Sequence, residues 1–176
     1  MKKIILTAFA GVSLLISGTP VFAELFSVSV GIPLSHTITG KTAESDGVSG
    51  SFVHAKLPLI PVGLGIESYK TKLKDKTPTV ELATMIYNLY YLLPIPIINL
   101  TIGLGAGSTE LLCTTCSAKY DKGKPTQWYA SLGVPFFPFF DMHLSYRSIT
   151  SKIAVKAGGE FDLSGNVTGV GIMFSF

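Results

Sequence analysis

Apolar and polar residues alternate with a period of two along most of this chain. Phe26, Val28, Val30 and Ile32 oppose Ser27, Ser29 and Gly31; Val62, Leu64 and Ile66 oppose Gly63, Gly65 and Glu67. Ile98, Leu100, Ile102, Leu104 and Ala106 oppose Asn99, Thr101, Gly103, Gly105 and Gly107. Further on, Trp128, Ala130, Leu132 and Val134 oppose Tyr129, Ser131 and Gly133, and Met142, Leu144 and Tyr146 oppose His143, Ser145 and Arg147. Successive side chains of a strand point to opposite faces, so the pattern predicts strands with one apolar face and one small or polar face. The stretches 48–57 and 79–92 alternate less cleanly, and there the pattern assigns neither His54 nor Asn88 to a face.

The run from Leu82 to Thr109 carries no charge and by hydropathy alone resembles a membrane helix. Pro94 and Pro96 fall in its middle, and a helix does not survive two interior prolines so close together. With period-two alternation on the far side, the run reads as two strands joined at "LLPIP". Two similar proline-paired apolar stretches, "KLPLIPVG" (56–63) and "GVPFFPFFD" (133–141), also lie between alternating segments. Longer polar stretches occupy 36–47, 70–79, 111–126 and 155–165. The segments between give eight strands, near 25–35, 48–57, 61–70, 79–92, 97–110, 127–134, 140–154 and 166–176. Their connections alternate, four long loops with three short turns.

The N-terminus changes this picture by placing the chain outside the cytoplasm. Lys2 and Lys3 precede an apolar run from Ile4 to about Gly18, followed by Val21-Phe22-Ala23. That is the layout of a secretory signal with a small-x-small cleavage site, and the run is short for a membrane helix. Residues 1–23 are therefore expected to be a signal peptide and 24–176 one mature domain. Losing Lys2 and Lys3 from 14 basic residues leaves 12 against 11 acidic ones. A charge so near zero argues against nucleic-acid binding. The two cysteines, Cys113 and Cys116 in "LLCTTCSAK", are expected to form a disulfide in an oxidising compartment. A zinc site needs more ligands than one CxxC supplies.

Alternation by itself does not say whether the apolar face meets a core or a bilayer. The opposing faces here are built of Gly, Ser, Thr and Asn with few charges, which suits the crowded lumen of a narrow barrel rather than a water-facing surface. An apolar band outside, a polar lumen and aromatic residues at the strand ends are the pattern of an outer-membrane barrel. Trp128 and Tyr129, and the cluster Phe136, Phe137, Phe139 and Phe140, sit at suitable positions. The chain resembles the small eight-stranded outer-membrane barrels of Gram-negative bacteria, the class that includes OmpA, OmpX and OmpW. The resemblance extends to the last strand, "GVGIMFSF", where Gly171, Phe174 and Phe176 match the C-terminal signal read by the barrel-assembly machinery. It implies an all-β fold, an eight-stranded antiparallel up-and-down transmembrane β-barrel in the outer membrane. It also implies that the termini and short turns are periplasmic and the four long loops external.

Candidate chemistry follows from that topology. Glu67 and Arg147 are expected on inward faces, where a narrow lumen forces charges to pair. Lys70, Lys72, Lys74 and Lys76 in the second loop, and Lys119, Lys122 and Lys124 in the third, are candidates for contact with lipopolysaccharide phosphates or another ligand. His143, Ser145 and Glu160 resemble the His-x-Ser pair and downstream Glu of lipid A 3-O-deacylases, themselves eight-stranded barrels. Two features oppose that reading: His143 lies near the periplasmic rim with Glu160 at the opposite end, and Tyr146-Arg147 follows the serine where those enzymes have Asn-Ala. His36 and His54 suggest neither catalysis nor metal binding. No cofactor or metal is expected, and the partners are membrane lipids, lipopolysaccharide and the assembly machinery. The expectation is a monomeric, non-catalytic barrel with a structural or surface-interaction role such as adhesion. The alternative is a narrow channel for small hydrophobic solutes.

Overall fold

The computed structural model describes residues 26–40, 43–58, 60–74, 79–95, 98–137 and 140–176. The proposed signal, Lys76, Pro96 and Phe139 lie outside them. Eight antiparallel strands close into a ring: β1 (Ser27–Ile38), β2 (Ser45–Lys56), β3 (Val62–Leu73), β4 (Glu81–Ile95), β5 (Ile98–Leu112), β6 (Thr126–Phe137), β7 (Phe140–Thr150) and β10 (Gly165–Ser175). Each pairs with its sequence neighbour, and β10 closes the ring against β1 from Ser27↔Ser175 to Ile38↔Gly165. Closure matters because an open edge in hydrocarbon leaves backbone N–H and C=O groups without partners.

The strands form where alternation predicts them, but they run further toward the loops. β3 continues through Leu73 and β5 through Leu112, taking in residues that polarity alone assigns to loops. The seventh strand is shorter than expected. It ends at Thr150, and Lys152–Ala154 (β8) instead folds onto Glu160–Asp162 (β9) as a separate small hairpin. A one-turn helix, α1 (Cys116–Lys119), was also not evident from the sequence.

Burial confirms the assignment of faces. Ile32, Leu64, Leu104, Leu132 and Leu144 are exposed, whereas Ser29, Glu67, Tyr129, Ser145 and Arg147 are buried inside. A soluble barrel would invert that arrangement. An apolar exterior of this extent is stable only against lipid. Lumen glycines make room for the larger inward side chains: a Cβ on Gly103 would collide with the Tyr129 ring, and one on Gly65 with the His54 ring. At the turn end, Phe136, Phe137, Phe140 and Phe174 form a chain of ring contacts with centroids 5.3–6.5 Å apart. Toward the loop end, Trp128 packs against Tyr146 at 5.8 Å. These are the two aromatic girdles expected where a membrane barrel meets the interfaces.

Candidate functional site: a crossed lumen under a folded cap

Glu67 on β3 and Arg147 on β7 lie four strands apart whichever way the ring is followed, so a bond between them spans the bore. Arg147 Nε donates to Glu67 Oε1 at 2.9 Å, with the two side chains 1% and 0% exposed. Gln127 on β6 donates to Glu67 Oε2 at 3.0 Å and to Asn88 Oδ1 on β4 at 2.7 Å. His54 Nε2 on β2 lies 3.3 Å from Glu67 Oε1. Arg147 also donates through Nη1 to Ser145 Oγ at 2.6 Å, and its guanidinium lies 3.5 Å from the Phe52 ring centroid. Four strands thus meet on one carboxylate and one guanidinium, and Gln127 ties in a fifth through Asn88. Buried charges persist only when paired and hydrogen-bonded, and this pair is both.

Above and below this layer the bore is also filled. On the loop side, Phe52, Tyr69, Ile149 and Val167 pack together, and His36 Nδ1 bonds Thr71 Oγ1 at 2.7 Å. On the turn side, His143 lies 2.7 Å from Ser29 Oγ through Nε2 and 3.0 Å from Ser131 Oγ through Nδ1, and Asn99 donates to Asp141. The space left there, between Ser29, His54, Tyr90, Asn99, Ser131 and His143, is about 30 Å³. A water needs roughly 10–15 Å³ of such space, so this is room for a water or two and not a solute path.

The loops close over the barrel as a compact cap. Leu73, Leu82, Leu111, Cys116, Ile153 and Leu163 form its core, with Tyr120 and Phe161 packed against them. The Cys113–Cys116 disulfide lies in this core. Backbone bonds tie the cap together: Asp121 N to Ala154 O at 3.0 Å, Lys156 N to Lys119 O at 2.9 Å, and Leu163 N to Ser151 O at 2.9 Å. Sequence reading anticipated four loops but not that they share a core. Leu73, Leu82, Leu111 and Ile153 come from four different strands and Leu163 from the segment leading into β10, so residues distant in sequence meet there.

The lysines are placed differently from the sequence expectation. Lys70 and Lys72 stand on the outward face of β3 rather than in a loop, with Lys70 Nζ 3.8 Å from Glu81. Lys74 bonds Glu44 at 3.1 Å, and Lys122 pairs with Glu110 at 2.8 Å. Lys119 and Lys124 are exposed. The deacylase-like set is not assembled. Ser145 Oγ donates to Gly169 O at 3.0 Å, both His143 nitrogens engage other serines, and Glu160 bonds Lys152 in the cap hairpin at 3.1 Å. Among the described residues no group of three metal-ligating side chains occurs.

A closed ring of eight antiparallel strands, apolar outside and hydrogen-bonded within, defines a membrane-spanning β-barrel of the outer-membrane type. The fold is that of Neisserial surface protein A (NspA), whose crystal structure matches 86% of this chain and 97% of its own with a TM-score of 0.58 at 12% identity. It is also that of the E. coli outer membrane protein W solved by NMR, at TM-score 0.51 and 8% identity, over 84% of this chain and 97% of that one. No family model matches the sequence, and no curated protein matches it. The likeness is one of fold.

Proposed function

We propose that this protein resides in the outer membrane as a closed, non-conducting barrel whose working surface is its folded cap, serving envelope structure or surface interaction such as adhesion. The observation that carries this reading is the Glu67–Arg147 bond across the bore under a cap with its own core. A barrel so filled offers no bore, and what remains available to a partner is the exterior. In this reading residues 1–23 direct export and are removed. Gly171, Phe174 and Phe176 serve recognition by the assembly machinery, and the exposed lysines of the β3 rim and cap meet lipopolysaccharide phosphates. The barrel acts as a monomer without catalysis. Planar-bilayer recording tests the central point: the purified barrel should show no steady conductance, and persistent single-channel openings would contradict the reading.

One observation favours a second reading, a lateral path for small apolar solutes. The β1–β2 ladder runs only from Ser27↔Lys56 to Gly31↔Phe52, whereas β1 continues to Ile38 and β2 begins at Ser45. Beyond Gly31 the seam is the least paired in the ring. Faster uptake of a small hydrocarbon by cells making the protein than by cells lacking it would support this path. Equal uptake would leave only the first reading.

A further inference from the structure

The outward face of β6 carries a vertical order of side chains that matches the anatomy of a lipid. From the loop end it runs Thr126, Trp128, Ala130 and Leu132, and the exposed Lys124 lies two residues before the strand begins. Ala130 is the small member of that face, and over it lies a dent of about 320 Å³ walled by Leu100, Leu132, Leu144, Tyr146 and Thr168. Tyr146 borders the dent, and the Trp128 ring packs against the Tyr146 ring at 5.8 Å. Ala130 is six positions beyond Lys124, four of them along β6, which is about 20 Å for extended chain and about 15 Å in depth for a strand tilted at 35–45°. Lys122 and Lys152 nearby are engaged by Glu110 and Glu160. Among the described residues no carboxylate pairs with Lys124.

We propose that this strip is a seat for one phosphate-bearing lipid of the leaflet at the loop end. Lys124 takes the phosphate, the Trp128 and Tyr146 rings lie at the level of the lipid's ester groups, and one acyl chain occupies the dent over Ala130. The charge argues for an anionic headgroup, and the apolar walls argue for a chain rather than a soluble anion. The seat rests on the membrane-spanning reading above, and its test separates the two.

Trp128 is the single tryptophan of the sequence, so its fluorescence reports on this strip alone. The full barrel would be placed in nanodiscs of phosphatidylcholine containing a few per cent of either dibrominated phosphatidic acid or dibrominated phosphatidylcholine. Bromine quenches only at close range. The seat predicts that the phosphatidic acid is enriched at Trp128 about fivefold over its mole fraction, the effect of one ammonium at the lipid surface. Lys124→Gln should return quenching to the mole-fraction line. Ala130→Leu, which fills the dent, should do the same in a barrel that still shows a boiling-dependent gel shift. Equal quenching by the two lipids, or enrichment that survives both substitutions, would overturn the seat and leave the membrane-spanning reading standing. No quenching by either lipid would overturn both.

Discussion

Replacing Arg147 with methionine tests whether the lumen layer holds the barrel together. Methionine keeps the unbranched stem against Phe52 and removes only the guanidinium. Glu67, with no exposed surface, would then keep Gln127 at 3.0 Å and His54 at 3.3 Å but lose its cation at 2.9 Å. Stranding one partner of a buried pair costs about 3–5 kcal/mol. The lost guanidinium–Phe52 contact at 3.5 Å adds to this, since cation–π contacts out of water are worth about 2 kcal/mol. The two remaining donors offset part of the loss, so a destabilisation of about 3 kcal/mol is expected. Glu67→Gln strands Arg147 in the same way. The double variant removes both charges and should be less destabilised than the sum of the singles, with a coupling of about 2–3 kcal/mol. Urea unfolding in lipid vesicles, followed by Trp128 fluorescence and by the mobility of unboiled samples, measures each corner of the cycle. Lys74→Gln, which breaks an exposed pair with Glu44, is the control and should cost less than about 1 kcal/mol. If Arg147→Met lies within about 1 kcal/mol of the parent, or the two lumen substitutions simply add, the pair is not what fastens β3 to β7.

Two further outcomes concern the cap. The Cys113–Cys116 ring is short, and chain entropy assigns such a closure about 2 kcal/mol, so the Cys113→Ser/Cys116→Ser variant should be cleaved faster by protease in 113–125 while the barrel keeps its gel shift. In the small hairpin, the hydrogen bonds from Ser164, including its backbone N–H at 2.9 Å, hold the Asp162 carboxyl below the usual 3.8. A depressed carboxyl stabilises the fold above its unfolded value and loses that contribution as pH falls through its folded value. The protection of the Ser164 amide, taken relative to its intrinsic exchange rate at each pH, should therefore fall as pH drops below about 3.8, and Asp162→Asn should flatten that dependence.

The eight strands were legible because alternation is a local signal and nearly every strand carries it. Glu67 and Arg147 stood out for a related reason, as rare charges on faces otherwise built of Gly and Ser. Their companions did not. Gln127, Asn88 and His54 join Glu67 only through the registers of four ladders, and register is a long-range property that neither a strand's own pattern nor its neighbours' reveals. His36 shows the local limit as well. Counting by two from Val30 places residue 36 outside, but a register shift between Pro33 and Ser35 turns it into the lumen, where it bonds Thr71. The small hairpin was hidden because Lys152–Ala154 continues the β7 alternation, and only its pairing with Glu160–Asp162 sets it apart. The dent over Ala130 needs four strands side by side, so no single stretch of sequence contains it.

The central claim is a closed barrel with its apolar face in the outer membrane. Cell fractionation with gels of boiled and unboiled protein tests it most directly. The structure predicts recovery in the outer-membrane fraction and a mobility that changes on boiling, because the ladders hold the barrel closed until heat opens it. A soluble periplasmic protein whose mobility is the same before and after boiling would contradict it.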